Sequence, residues 1–143
     1  MILDDKYVAG LFDGEGWFQI DRTRPKDTKR GISYQVHARI CMRDSELIYQ
    51  LQKQYGGSAR LSSKETNKHA AYYTWDICGE NVATFALSMK GLLIVKQKQA
   101  VLALAFQTLK RENKNRACSD IRFAELTEMY DQMRHLNKKG VSR

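Results

Sequence analysis

Residues 33–40 alternate without a break: Tyr34, Val36, Ala38 and Ile40 are apolar or aromatic, and Ser33, Gln35, His37 and Arg39 between them are polar. A pleated strand turns successive side chains to opposite faces, so this segment predicts a half-buried strand in a single register. Sliding it by one residue would bury Arg39 and expose Ile40. The chain must therefore build a sheet that is packed on one face and polar on the other, as antiparallel sheets often are.

The same period returns elsewhere. From Trp17, Phe18 and Ile20 alternate with Gln19 and Asp21. At 59–64, Ala59 and Leu61 oppose Arg60, Ser62 and Lys64, and at 72–77, Tyr73, Trp75 and Ile77 oppose Tyr72, Thr74 and Asp76. Between the first two strands, residues 24–31 are rich in basic and turn-forming residues (Arg24, Pro25, Lys26, Thr28, Lys29, Arg30, Gly31) and predict a loop. A helix capped by Asp44 or Ser45 runs through Leu47, Ile48, Leu51 and Tyr55 and stops at Gly56 and Gly57. Further helices are expected at about 80–90, about 95–111 and about 119–136, the last with Ile121, Phe123, Leu126, Tyr130 and Met133 as its apolar stripe. With a helix over 5–14 the order is α-β-β-α-β-β-α followed by additional C-terminal helices, an α+β fold around four antiparallel strands. At 143 residues this is one domain, 1–143, with its core at about 5–110.

Lys and Arg exceed Asp and Glu by eight, and the excess is uneven: residues 1–20 are net −3 and residues 21–40 net +4. An acidic start followed by a basic ribbon suits a polyanionic partner. No apolar run approaches the roughly 20 residues of a membrane span, and Asp4 and Asp5 precede the first apolar stretch, unlike a signal peptide. Cys41, Cys78 and Cys118 are odd in number and lack C-x-x-C spacing, which argues against a disulfide framework or structural zinc and for a reducing, intracellular setting. On the first helix, Tyr7, Val8, Leu11 and Phe12 can face a core. Ala9, Gly10, Asp13 and Gly14 leave a face with little bulk, which predicts close approach of a second helix. Glu15 falls just past that helix, at the end where the helix dipole disfavours an acid, so a role outside folding is expected of it.

The run from Tyr7 to Gly16 resembles the LAGLIDADG motif, and Val95 to Ala100 (Val-Lys-Gln-Lys-Gln-Ala) resembles a Lys-Gln-Lys-Gln-Ala segment of the same family. With the strand order, the chain resembles the single-motif LAGLIDADG homing endonucleases of the homodimeric type over roughly residues 5–110. That resemblance implies a four-stranded DNA-binding saddle, a second copy of the chain as partner, and hydrolysis of double-stranded DNA with Mg²⁺, with Mn²⁺ or Ca²⁺ as substitutes. It assigns Glu15 as the metal ligand, with Gly14 beside the metal, and Lys96 as the basic residue near the scissile phosphate. Where relatives place a water-orienting Gln this chain has Met42, and the adjacent Arg43 reads as an active-site group, a phosphate contact or an idle charge. Asp13 reads as a structural cap or pair at the helix interface, with a metal contact as the alternative.

The polar strand faces then supply the candidate DNA contacts: Gln19 and Asp21; Ser33, Gln35, His37 and Arg39; Arg60, Ser62 and Lys64; Tyr72, Thr74 and Asp76. The loop cations Arg22, Arg24, Lys26, Lys29 and Arg30 are expected at the outer ends of each half-site, with Lys26, Lys29 and Arg30 on phosphates, and Lys98 reads as a phosphate contact or a solvated charge. Arg39 and Gln35 have the donors to read guanine and adenine edges. Two nine-residue strands would span on the order of 18–20 base pairs of a pseudo-palindromic site. A non-catalytic DNA-binding regulator and an RNA-binding intron maturase on the same fold stand as alternatives.

Overall fold

The computed structural model describes residues 1–27, 29–113 and 118–138, so Thr28 of the basic loop lies outside the described residues. The elements run α1 (Asp5–Glu15), β1 (Gly16–Thr23), β2 (Ser33–Met42), α2 (Ser45–Tyr55), β3 (Ser58–Ser63), β4 (Tyr72–Cys78), α3 (Glu80–Met89), α4 (Gln97–Glu112) and α5 (Asp120–Leu136). Their starts and stops follow local chemistry. Asp4, Asp44 and Ser119 cap α1, α2 and α5 by accepting backbone N–H groups from Lys6, Leu47 and Arg122. α2 ends on Gly56 and Gly57, both at φ +82°, where a side chain would be strained.

The four strands form one antiparallel sheet in the order β1-β2-β4-β3. Gly16 pairs with Ile40 and Thr23 with Ser33, so β1 begins beside the C-terminal end of β2. The register of β2 is the one its alternation demands: Tyr34, Val36, Ala38 and Ile40 are buried and the intervening residues are at least partly exposed. An aromatic cluster joins helices to sheet, with ring centroids 4.7 Å apart for Phe12 and Phe18, 5.2 Å for Phe12 and Phe85, and 5.3 Å for Trp75 and Phe85. The indole N–H of the buried Trp75 donates to Gly56 O at 3.0 Å, so its burial leaves no orphan donor.

α5 is fastened to this core. Leu126 and Met133 are buried, Tyr34 Oη lies 3.0 Å from Thr127 Oγ1, and Asn137 Nδ2 donates to Phe18 O at 2.8 Å. Ile121 is 76% exposed, against expectation, because it lies two residues, or about 200° of helix, from Phe123. Leu61 is 45% exposed because β3 is an edge strand whose pairing slips between Leu61 and Ser63. On α1 the burial is rotated from the sequence expectation. Ala9 is buried with Val8 and Phe12 and cannot belong to an outward face, whereas Tyr7 is 53% exposed. The open stripe is Tyr7, Gly10 and Gly14, and a Cβ on either glycine would meet nothing within 4 Å.

Gly16 is different, since a Cβ there would overlap the Phe12 ring at the reversal from α1 into β1. Gly16→Ala should lower the unfolding free energy by about 1–3 kcal/mol, the usual cost of overpacking, in urea or thermal denaturation. An unchanged midpoint would mean that this reversal is not tightly packed.

Candidate functional site

The corner where α1 meets the sheet holds the acid and the base expected there. Glu15 is the last residue of α1 and is exposed, and its carboxylate makes no hydrogen bond or ion pair among the described residues. Gly14, also exposed, adjoins it. Asp13 points the other way and finishes the chain before α4: Oδ2 accepts from Ile94 N at 2.8 Å, and Oδ1 accepts from Val95 N at 3.1 Å and Lys96 N at 3.0 Å. Its capping alternative is thus the one the structure bears out. Lys96 returns the contact, its Nζ donating to Phe12 O at 3.2 Å and Asp13 O at 2.9 Å. The ammonium therefore sits on C-terminal carbonyls of α1, at the pole carrying about half a negative charge. Met42 packs partly against the core, and the exposed Arg43 lies over the Tyr72 ring at 5.6 Å, beyond the sheet end where Gly16 pairs with Ile40.

No three His, Cys, Asp or Glu residues cluster as a metal site among the described residues. One chain offers an unengaged hard carboxylate at Glu15, which fits an ion such as Mg²⁺ that takes one or two carboxylates plus substrate oxygens and water.

The polar face of the sheet is a connected network. Arg39 donates from Nε to Asp76 Oδ2 at 3.1 Å, from Nη2 to Asp21 Oδ2 at 3.1 Å and from Nη1 to Gln19 Oε1 at 3.3 Å. His37 lies between the same acids, with Nδ1 2.8 Å from Asp76 Oδ1 and Nε2 3.3 Å from Asp21 Oδ2. Gln19 is fixed in turn by Trp17 Nε1 at 3.1 Å and by donating to Asp21 Oδ1 at 2.6 Å. Burial works against the Arg39 charge, but hydrogen bonds and attraction from Asp76 and Asp21 outweigh it and hold the guanidinium above its ordinary pKa. Gln35, Arg60 and Lys64 remain exposed and Ser33 half-exposed. Thr74 is buried, its hydroxyl donating to Ser62 Oγ at 2.9 Å, while Ser62 donates to Tyr72 O; these serve strand pairing, and Thr74 is not an open contact.

The loop cations divide. Arg24, Lys26 and Lys29 are exposed, as is Lys98 on α4. Arg30, exposed as well, is turned onto α5: it lies 2.7 Å from Asp120, donates to Cys118 O at 2.6 Å and sits 4.9 Å over the Phe123 ring. Arg22 lies 5.0 Å over the Tyr130 ring and Arg134 5.6 Å over the same ring. These residues, with Lys96 and Lys138, line a groove of about 750 Å³ running from Gly16 along the β1 edge to Thr23. Tyr130, Arg134 and Lys138 escape the sequence reading because Tyr130 fits an apolar stripe and helix cations fit any solvated face. All three cysteines are unpaired, and no helix among the described residues is long and apolar enough to cross a membrane.

Residues 8–100 match the family model described as LAGLIDADG endonuclease. The fold is similar to that of the homing endonuclease I-CvuI, crystallised with DNA in the presence of Mg or Ca, at 18% identity and TM-score 0.78 over 97% of this chain and 84% of that one. It is similar also to the homing endonuclease I-TnaI, at 22% identity and TM-score 0.77 over 98% of this chain and 92% of that one. Against the meganuclease I-SmaMI, bound to uncleaveable DNA, it shows 16% identity and TM-score 0.76, covering 96% of this chain and only 46% of that one. Comparison with curated protein sequences finds no match. Since the family model spans well over half of its length, the chain belongs to the LAGLIDADG endonuclease family.

Proposed function

We propose that this endonuclease works as a homodimer. Two α1 helices pair through the Tyr7, Gly10 and Gly14 stripe and bring two Glu15 carboxylates to the dimer axis, over a long pseudo-palindromic DNA duplex. The observation that carries this reading is Glu15 itself: an exposed, unengaged carboxylate at the end of a helix whose outer face is open at Gly10 and Gly14. One motif copy makes half a site, and I-SmaMI, of which this chain covers less than half, has room for two such units in one polypeptide. Two-fold pairing closes the assembly.

The site would be divalent-metal dependent, with Mg²⁺ as the working ion and Mn²⁺ or Ca²⁺ as substitutes. Glu15 would hold it with the backbone near Gly14. When bound, such ions supply an activated water and stabilise the leaving 3′-oxygen. The chain's own groups do the rest. Lys96, seated on the Phe12 and Asp13 carbonyls, offsets the negative pole of α1 where a phosphate must come. Asp13 holds Lys96 there by fixing the 94–96 backbone. Each protomer cuts one strand.

Binding follows from the two surfaces. The polar sheet face meets base edges in the major groove, while Arg22, Arg24, Lys26, Lys29, Arg134 and Lys138 meet phosphates. The β1 groove starts at the catalytic corner, so its cations would follow one DNA backbone outward from the scissile position.

Four outcomes are expected. Glu15→Gln should abolish cleavage of target DNA in Mg²⁺ while gel-shift affinity survives or rises, since a carboxylate repels phosphate when metal is absent; Lys96→Met should slow cleavage at near-normal affinity. Wild-type cutting by Glu15→Gln would remove Glu15 from the chemistry. Gly10→Leu should lower both the solution mass, by sedimentation, and the cleavage rate. A monomeric, fully active wild type would contradict the pairing. Arg134→Gln should weaken binding to all sequences alike and reduce the slope of log affinity against log salt by about one unit. An unaltered slope would place the backbone elsewhere.

A further inference from the structure

The sheet face that meets a polyanion carries two acids of its own at its centre. Asp21 and Asp76 repel phosphate, and neither is needed to terminate a helix or fill the core. What they do instead is visible in their partners. Asp21 is on β1 and Asp76 on β4, the strands on either side of β2, so Arg39 is gripped from both neighbours at once. The grip is partly dry: side-chain exposure is 18% for Arg39, 25% for Asp21 and 14% for Asp76.

A guanidinium has five N–H donors. Three of those on Arg39 are engaged, by Asp76, Asp21 and Gln19, which leaves two. They lie one on each terminal nitrogen, and a single one is enough to donate to the O6 or N7 acceptor of a guanine in the major groove. An untethered arginine on the same strand would gain as much from any phosphate within reach, and a phosphate contact carries no sequence information.

We propose that Asp76 and Asp21 are specificity-determining positioning residues, which hold Arg39 so that its remaining donors meet a guanine edge and keep it from the phosphates. The inference rests on the sheet face being the DNA-reading surface. The two carboxylates also disfavour DNA docked in a wrong register, where no base donor or cation offsets their charge, so discrimination comes from repulsion as well as attraction. Gln19, locked by Trp17 and Asp21, is the third point that fixes the guanidinium plane.

The test is selection from a randomised duplex library by the wild type, Asp76→Asn, Asp21→Asn, Arg39→Ala and the double variant Asp76→Asn/Arg39→Ala. Alongside it, affinity for a random-sequence duplex is measured across a salt series. The wild type should select guanine at one symmetric pair of positions, and Arg39→Ala should lose that preference. Asp76→Asn and Asp21→Asn should flatten the same pair, from about ten- to hundredfold discrimination to a few-fold, with tighter and more salt-dependent binding to random DNA. In the Arg39→Ala background, Asp76→Asn should change nothing further at that pair, because it acts through Arg39. A mere loss of stability would not move one base preference and spare the rest, and Asp21→Asn on the other strand keeps the test open if Asp76→Asn does not fold. Wild-type preference at that pair in both Asn variants, with loss only in Arg39→Ala, would overturn the proposal and leave the reading face standing. A profile that Arg39→Ala leaves unchanged would overturn both.

Discussion

The corner that bears Glu15 depends on how the C-terminal end of α1 is finished. Three consecutive N–H groups before α4 converge on the Asp13 carboxylate, and the Lys96 ammonium returns to the carbonyls of Phe12 and Asp13. Hydrogen bonds to charged groups contribute roughly 1.5–3 kcal/mol each, so this reciprocal clamp is strong for its size. It joins residues 83 positions apart and settles several things together. The base is brought to the helix end that bears Glu15. The negative pole of the helix is offset beside that acid. Because Asp13 turns inward to make the clamp, Glu15 is the acid left facing out.

Around that corner the sheet divides its labour by the pleat. The apolar set of β2 packs under the helices, and the polar set forms a network in which the Arg39 guanidinium is held by an acid from each neighbouring strand and His37 lies between the same two acids. A face built this way is neither a bare positive patch nor an ordinary solvated surface. Its charges have fixed directions, which suits recognition of one pattern of donors and acceptors better than attraction to any polyanion. Other positive charge lies on the exposed loop cations and in the β1 groove, where α5 adds Tyr130, Arg134 and Lys138. α5 lies beyond the part of the chain that the family model spans, yet Asn137 and Thr127 pin it to β1 and β2.

Much of this was legible in the residues because it rests on period and local chemistry. The alternation at 33–40 allows one register, and Asp44 and Gly56 mark the ends of α2 through a short-range hydrogen bond and a positive φ. Less was legible where rotation about a helix axis decides. Ala9 and Tyr7 exchanged their expected faces, and Ile121 fell outside the stripe it was grouped with, because neighbouring residues on a helix differ by about 100° and composition alone does not fix the phase. Long-range partners were the least legible. Nothing local indicates that Arg30 closes on Asp120 while Lys29 stays exposed, or that Asp21 and Asp76 hold Arg39, because those pairings exist only once the strands are side by side.

The central claim is that one chain holds half an active site and one carboxylate of the pair. The most direct measurement is cleavage by mixed dimers, made by co-expressing wild-type and Glu15→Gln chains with different tags and purifying through both. The substrate is a supercoiled plasmid carrying a site selected by the wild-type protein, with Mg²⁺ present. If each protomer cuts one strand, the mixed dimer should yield nicked circles and little linear product, while the wild-type dimer gives linear DNA. Linear product formed by the mixed dimer at the wild-type rate would contradict the half-site arrangement.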